Sequence, residues 1–305
     1  MLTFLSRRLA SSVIALVGVI VVVFFLGRLT GDPANLYLPQ GASQEMIDNF
    51  NRTHGFSDPL WQQFGRFVGD VAHLDFGQSI WQQRPALTAV TSVFPQTLLL
   101  AGLALGLAIV LAVVLGCVAA ERPFKLLDKF ITFSSLTIAS VPEFWFALVG
   151  ILFLAVDLGL VPTSGQSGPS SWILPTATLM LHPVGVLTQV VRGAMIEALN
   201  SGYVQCARAR GFARRRLVYR HALRNATLPI ISVAGDRAAA MVNGAIIVGT
   251  VFAWPGIGTV MVNAVENRDF AVIQAGVFVI GMAIVVLNVL VDLTYAVADP
   301  RIRVS

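Results

Sequence analysis

Apolar residues run through this chain in blocks too long for the interior of a soluble domain. Leu9–Gly27 carries no charged side chain, and neither do Ala86–Ala120, Leu158–Val191 and Phe270–Val291. A helix needs roughly 20 apolar residues to cross the hydrocarbon core of a bilayer. Hydropathy predicts six such spans, near residues 9–29, 95–119, 130–156, 172–192, 228–251 and 271–297. The third contains Glu143 and the fifth contains Asp236 and Arg237, charges set inside otherwise apolar runs. The pattern predicts an all-α polytopic membrane protein.

The polar segments between the spans differ in character. Residues 30–94 are long enough to form a folded insertion between the first two spans. Within it Trp61, Phe64, Phe67, Val71 and Leu74 recur at helical spacing. Two readings stay open for that stripe: an amphipathic helix on the membrane surface, or an aromatic face packed on the helical bundle. After the fifth span comes Phe252-Ala-Trp-Pro-Gly-Ile-Gly258. There Pro255-Gly256 predicts the centre of a type II turn, and Trp254 a place at headgroup level.

Composition strengthens the membrane reading. Charged residues make up 12% of the chain and hydrophobic residues 56%, against ~25% charged in an ordinary soluble protein. The distribution of charge then predicts orientation. With the N-terminus inside, segments 1–8, 120–129, 193–227 and 298–305 hold 2, 3, 7 and 2 of the 21 Lys and Arg residues. Arg192 adds one more at the inner end of span four. Cationic loops are retained in the cytoplasm, so both termini are predicted inside and residues 30–94 outside. The net charge of +5 is thus a topology signal. Without a solvated basic domain, nucleic acid is not an expected partner.

Several chemistries are excluded. Ser6-Arg7-Arg8-Leu9 faintly resembles an export signal, but the 19 apolar residues that follow exceed a signal core of ~7–15. An uncleaved first span is expected. Cys117 and Cys206 cannot make a disulfide framework, and both are predicted to face a reducing compartment. The four His residues fall in no metal-ligand spacing, so no metal site is expected. His182 precedes Pro183 inside span four and is read as a polar group satisfied at a proline break. The chain has two Lys, Lys125 and Lys129, and neither follows the glycines of a phosphate-binding loop. It therefore holds no ATP site of that type.

The densest polar feature lies between spans four and five. From Arg192 to Arg224 there are eight Arg and one acid, Glu197. Cys206, Ala207 and Ala209 are small enough for a short helix to enter a groove with close backbone approach. Gly211 is a natural helix stop in the left-handed region. A second helix is predicted from about Ala213, with Leu217, His221, Arg224 and Leu228 on one face, leading into span five. Taken alone, the block also fits a solvated loop that enforces topology or contacts anionic lipid.

In order and topology the chain resembles the permease subunits of dipeptide, oligopeptide and nickel ABC importers, in the class with the longer first outer loop. The resemblance rests on Gly31-Asp-Pro-Ala34, Leu74-Asp-Phe-Gly-Gln-Ser79, Ser140-Val-Pro-Glu-Phe-Trp145 and Leu160-Val-Pro-Thr-Ser-Gly165. It continues through the Tyr203–Pro229 loop, Thr250-Val-Phe-Ala-Trp-Pro-Gly256 and Asp299-Pro-Arg-Ile-Arg303. The chain departs from the family pattern at Gln205-Cys206-Ala207, where Glu-Ala-Ala is usual. It departs again at Gly249, where an acid is frequent, and at Asp236-Arg237, where small neutral residues are common.

The resemblance implies a type I importer transmembrane domain over 1–305, with 30–94 an extracytoplasmic insertion and 193–227 a cytoplasmic coupling loop. It implies a multi-pass protein of the bacterial inner membrane, importing short peptides or related small solutes. The implied partners are a homologous second permease, two cytoplasmic ATPases that bind the ATP and Mg, an extracytoplasmic solute-binding protein, and lipid. Gln205, Cys206, Ala207, Arg208, Ala209, Arg210, Gly211 and Phe212 are the implied ATPase contact. Asp236, Arg237, Met241 and Asn243 are the candidate pathway or gate residues. Charges near a helix centre cost roughly 2.5–3.5 kcal/mol each on insertion scales, and neighbouring positions point about 100° apart. At least one of Asp236 and Arg237 is therefore expected to meet a charge on another helix or a watery cavity. A structural ion pair with the second permease stays open. The competing class is an ion-gradient transporter with Asp236, Arg237 and Glu143 as a charge relay.

Overall fold

The computed structural model describes residues 2–29, 34–39, 41–53 and 55–298. Gly31-Asp-Pro, His54 and the Asp299–Arg303 element lie outside them. In chain order the α-helices are α1 Leu2–Leu29, α2 Ala34–Tyr37, α3 Gln44–Thr53, α4 Leu60–Ala72, α5 Ala86–Thr91, α6 Phe94–Glu121 and α7 Leu126–Ser140. Then follow α8 Glu143–Gly150, α9 Ile173–Asn200, α10 Gly202–Ala209, α11 Arg214–Arg216, α12 Leu223–Val251, α13 Ile257–Glu266 and α14 Phe270–Ala298.

Among the described residues five helices are long and apolar enough to cross a membrane, and a bent pair makes a sixth candidate. That pair corrects the single third span expected at 130–156. Helix α7 ends at Ser140, Pro142 begins the next turn, and the two segments are bent by 97°. Proline lacks an N–H and disfavours helical geometry in the residue before it. Val141 accordingly sits at φ −87°, ψ 133°.

Two compact units divide the chain. Of the described residues, one comprises 97–254 with 286–298 and Leu2; the other comprises those of 3–96 with 255–285. In the first unit α6, α9 and α12 share three stacked patches of core. One is built on Leu100, Leu179, Met241 and Val248, one on Ala112, Leu187 and Ala234, and one on Cys117, Val191, Met195 and Ala222. Alanine and glycine at these seams let backbones approach closely. Trp254 belongs to this core: it is 1% exposed and stands edge-on to Trp172 with ring centroids 4.5 Å apart. Its indole therefore packs inside the protein, whereas the expectation from sequence concerned its level in the bilayer. The turn before it folds Trp254 inward, with the N–H of Gly165 donating to the carbonyl of Phe252 at 2.8 Å. The left-handed residue there is Ala253, at φ 47°. Gly256, at φ −132°, is extended, so Pro255-Gly256 is not a type II turn.

In the second unit the aromatic stripe packs on helix. Phe67 stacks on Phe24 at 4.9 Å, and Phe64 contacts both Phe24 and Phe25. Trp61 is left 71% exposed. The Leu74–Ser79 motif is fastened to the start of α14: Ser79 Oγ donates to the buried Asp269 carboxylate at 2.5 Å, and the Trp81 N–H donates to it at 3.3 Å. Beside them Tyr37 donates to the Asn267 carbonyl at 2.8 Å. Burial, followed by the charge of Asp269, pushes the Tyr37 phenol up to about 12, so it stays a neutral donor.

Candidate functional site

Two sites emerge from the first unit. The first is the basic loop. Helix α10 stops where the sequence says it should: Gly211 takes φ +79°, and its N–H donates to the Arg208 carbonyl at 3.0 Å. An L-residue is strained there by roughly 1–2 kcal/mol. The inner side of α10 is held by Val204 and Ala207, which pack with Leu217, Leu199 and Phe212. Phe212 stacks on His221 with centroids 5.6 Å apart, and the Arg216 guanidinium lies over its ring at 4.7 Å.

The predicted contact residues therefore divide. Gln205, Cys206, Arg208, Ala209, Arg210 and Gly211 are exposed, whereas Ala207 is 6% exposed and Phe212 is partly covered. Those two fix the helix to its own chain. A groove of about 430 Å³ runs beside it, lined by Glu121, Arg208, Phe212, Arg214 and Leu217 among others. Arg214 bonds the main-chain oxygen of Glu121 and lies 3.9 Å from its carboxylate.

From Arg214 the chain is helical to Val251, with a π-helical stretch at Leu217–Ala222. Of the face read from the sequence (Leu217, His221, Arg224, Leu228), Leu217 is buried, His221 partly so, and Arg224 and Leu228 are exposed. Val218, Ala222, Ala226 and Ile230 are also buried. Bonding i to i+5 widens the turn, so residues four apart stack on one side at the start of this helix. Rigid helix thus joins the exposed loop to the membrane-spanning segment.

The second site is a polar junction at the break of the third span. The last carbonyls of a helix lack intrahelical partners. At the end of α7, the Ala139 carbonyl lies 3.0 Å from Nδ1 of His182, which is the atom placed to donate to it. Nε2 is then the ring's acceptor, and Nη1 of Arg237 lies 3.5 Å from it. Close packing supports this crossing, because a Cβ at Gly185 would collide with Ser135 and Ala139 of α7. Glu143 opens α8, where a carboxylate suits the helix N-terminus. Its carboxylate packs on Gly244 of α12, where an added Cβ would lie 2.9 Å from Oε2.

Asp236 and Arg237, about 100° apart around the helix, nevertheless meet. Arg237 Nη2 reaches Asp236 Oδ2 at 3.4 Å, because the long guanidinium folds back along the helix. Arg237 also meets His182 on another helix, and its Nε has no hydrogen-bond partner among the described residues. Its side chain is 28% exposed and that of Asp236 is 74% exposed. Asp236, Ala240, Asn243, Ile247 and Thr250 all lie exposed, at the spacing of one helix face. Met241, grouped with the pathway residues from the sequence, lies five residues from Asp236 and is 3% exposed among Leu179 and Ala245. It is a packing residue.

Sequence reasoning missed two further polar contacts. Arg192, read as a topology charge, pairs bidentately with buried Asp128 at 2.5 and 2.7 Å, tying the start of α7 to α9. His182, read as a polar group at a proline break, caps α7. A span that carries a proline, facing a neighbour that carries His-Pro, was the available signal. Among the described residues no group of His, Cys, Asp or Glu could hold a metal ion.

Residues 112–304 match the family described as binding-protein-dependent transport system inner membrane component, and residues 1–101 match its N-terminal membrane component. The oligopeptide transport system permease protein AppB of Bacillus subtilis is 33% identical over 99% of this chain and 100% of its own. The dipeptide transport system permease protein DppB of Haemophilus influenzae is 34% identical, again over 99% and 100%. Among solved structures, the inward-facing MetNI methionine ABC transporter superposes with a TM-score of 0.58 at 15% identity. It covers 68% of this chain and 95% of that one. An amino acid ABC transporter gives 0.55 at 16% identity, over 68% and 92%. These two likenesses concern the fold.

Proposed function

The chain belongs to the inner-membrane components of binding-protein-dependent transport systems, and from that premise we propose that it forms half of a path by which short peptides enter the cell. It is a multi-pass permease subunit of a bacterial ABC importer, and the ATPase is a separate subunit. Partners of two kinds follow from the family: an ATPase and a solute-binding protein. The ion-gradient transporter is set aside on the same ground.

The finer assembly is our reading. A homologous second permease completes the path, two ATPases bind ATP and Mg on the cytoplasmic side, and the solute-binding protein delivers cargo from outside. Both chain ends and residues 193–227 lie inside, and residues 30–94 outside, as the Lys and Arg distribution supports. Peptide cargo is supported by the names of relatives such as AppB and DppB.

The observation that carries the pathway reading is the exposed stripe of α12. Asp236, Asn243 and Thr250 recur every seven residues on a helix apolar enough to span the bilayer. Polar groups there are expensive against lipid, so they face water, cargo or a second subunit. Arg237, with an unmet Nε, is the cation beside that stripe. The exposed face of α10 (Gln205, Cys206, Arg208, Ala209, Arg210 and Gly211) is the ATPase contact. Closure of the ATPases moves α10, and the unbroken helix 214–251 carries that movement to the stripe. In proteoliposomes holding the full assembly, uptake of a labelled dipeptide should need ATP and the binding protein and should persist when ion gradients are collapsed. Uptake that follows an ion gradient without ATP would refute the reading.

A further inference from the structure

Outside the pathway, the insertion between the first two spans carries a cavity of about 470 Å³, within the range of roughly 300–1,000 Å³ usual for small-ligand sites. Its apolar wall includes Phe76 and Phe270, each 6% exposed, together with Phe56 and Phe67. Its polar groups have mixed fates. Arg66 is already paired with Asp58, and Asp75 accepts from the N–H of Gly77 at 2.8 Å. Three others are uncommitted. Arg52 and Asp70 make no ion pair among the described residues, and both line the cavity. Gln274, near the start of α14, is 6% exposed, and its Nε2 has no hydrogen-bond partner there.

A buried amide donor left unmet is costly, and such groups in native proteins call for an explanation. Here an unmet donor, a free guanidinium and a free carboxylate share one aromatic-walled cavity. A guanidinium and an amide N–H are donors suited to a carboxylate. The carboxylate of Asp70 and the faces of phenylalanine rings attract an ammonium, and the same rings cover an apolar side chain.

We propose that this cavity binds a small zwitterion with an apolar side chain, a short peptide with free termini, through Arg52, Asp70 and Gln274 over the phenylalanine wall. The choice of a peptide over a free amino acid rests on the import reading above. A ligand there bridges α3 and α4 to the first turns of α14, so occupancy on the outer side bears on a membrane-spanning helix.

The test uses the assembled transporter in nanodiscs without its solute-binding protein, with Ala-Phe as probe. Binding is expected to be saturable and to weaken at least tenfold in Arg52→Gln and in Gln274→Leu. It should weaken at least tenfold again when the probe is N-acetylated and C-amidated. As an independent readout, Thr53→Cys is alkylated and mapped by mass spectrometry, and Ala-Phe should protect it over the same concentration range. Equal binding of the capped probe, full binding in Arg52→Gln, or no protection at Thr53→Cys overturns the site. Import is measured separately with the binding protein present. Protection without import keeps the site and removes the peptide-transport reading, and import without protection does the reverse.

Discussion

Arg237 of α12 meets His182 of α9, with Nη1 3.5 Å from Nε2, while the other ring nitrogen of that histidine faces the last turn of α7. One imidazole thus touches three helices at the point where the third span bends. Through this ring Arg237, beside the exposed stripe of α12, is linked to the end of α7 next to the break at Pro142.

A double-mutant cycle should detect that coupling. His182→Ala, Arg237→Ala and the pair are predicted to give an interaction of about 0.5–1.7 kcal/mol in thermal unfolding, the span of measured interhelical bonds in membranes. Uptake should fall in each single variant. Strict additivity of the two single effects would show that the residues act independently.

Asp128 and Arg192 offer a larger stability effect. Removing one partner of a buried pair leaves the other charge uncompensated, at about 3–5 kcal/mol. Arg192→Met is expected to lower the midpoint of thermal unfolding sharply, and the combined Asp128→Leu, Arg192→Met variant should recover most of the loss. Equal destabilisation by single and double variants would contradict the pairing.

Burial separates two kinds of coupling variant. Ala209→Glu changes an exposed position of α10, so it should leave folding intact and abolish substrate-stimulated ATP hydrolysis. Gly211→Val forces an L-residue into φ +79° and should cost roughly 1–2 kcal/mol as well. Ala207→Glu buries a charge and is expected to unfold the loop. Normal stimulated hydrolysis in a well-folded Ala209→Glu protein would remove α10 from the ATPase contact.

Orientation can be read by labelling. Cysteine placed at Ser43, in a background lacking Cys206, should react with an impermeant maleimide from the outer face of intact cells. Cys206 itself, exposed in the loop, should react only after the membrane is opened. The opposite pattern would invert the topology.

The places of five membrane-spanning helices were legible without any structure, whereas the third predicted span is a pair bent by 97°. Transfer of some 20 apolar residues into lipid is a local sum that no tertiary contact reverses. The stop at Gly211 was legible for a similar reason, because a left-handed turn after a short helix is a backbone preference of one residue. What the sequence could not give was the direction each side chain faces. The third span was read straight through Pro142, and the 97° bend there depends on what packs around it. The π-helical stretch at Leu217–Ala222 was not visible in the periodicity, and with it Val218, Ala222, Ala226 and Ile230 form the buried side of the helix. Trp254 has the composition of an interfacial residue, yet it is buried against Trp172, 82 positions away in the chain. Asp128 with Arg192 and Ser79 with Asp269 are separated by 64 and 190 residues. Hydrophobicity fixes which segments leave water, whereas partners of polar groups inside the bundle are fixed by helix rotation and close packing, and these exist only once the helices have assembled.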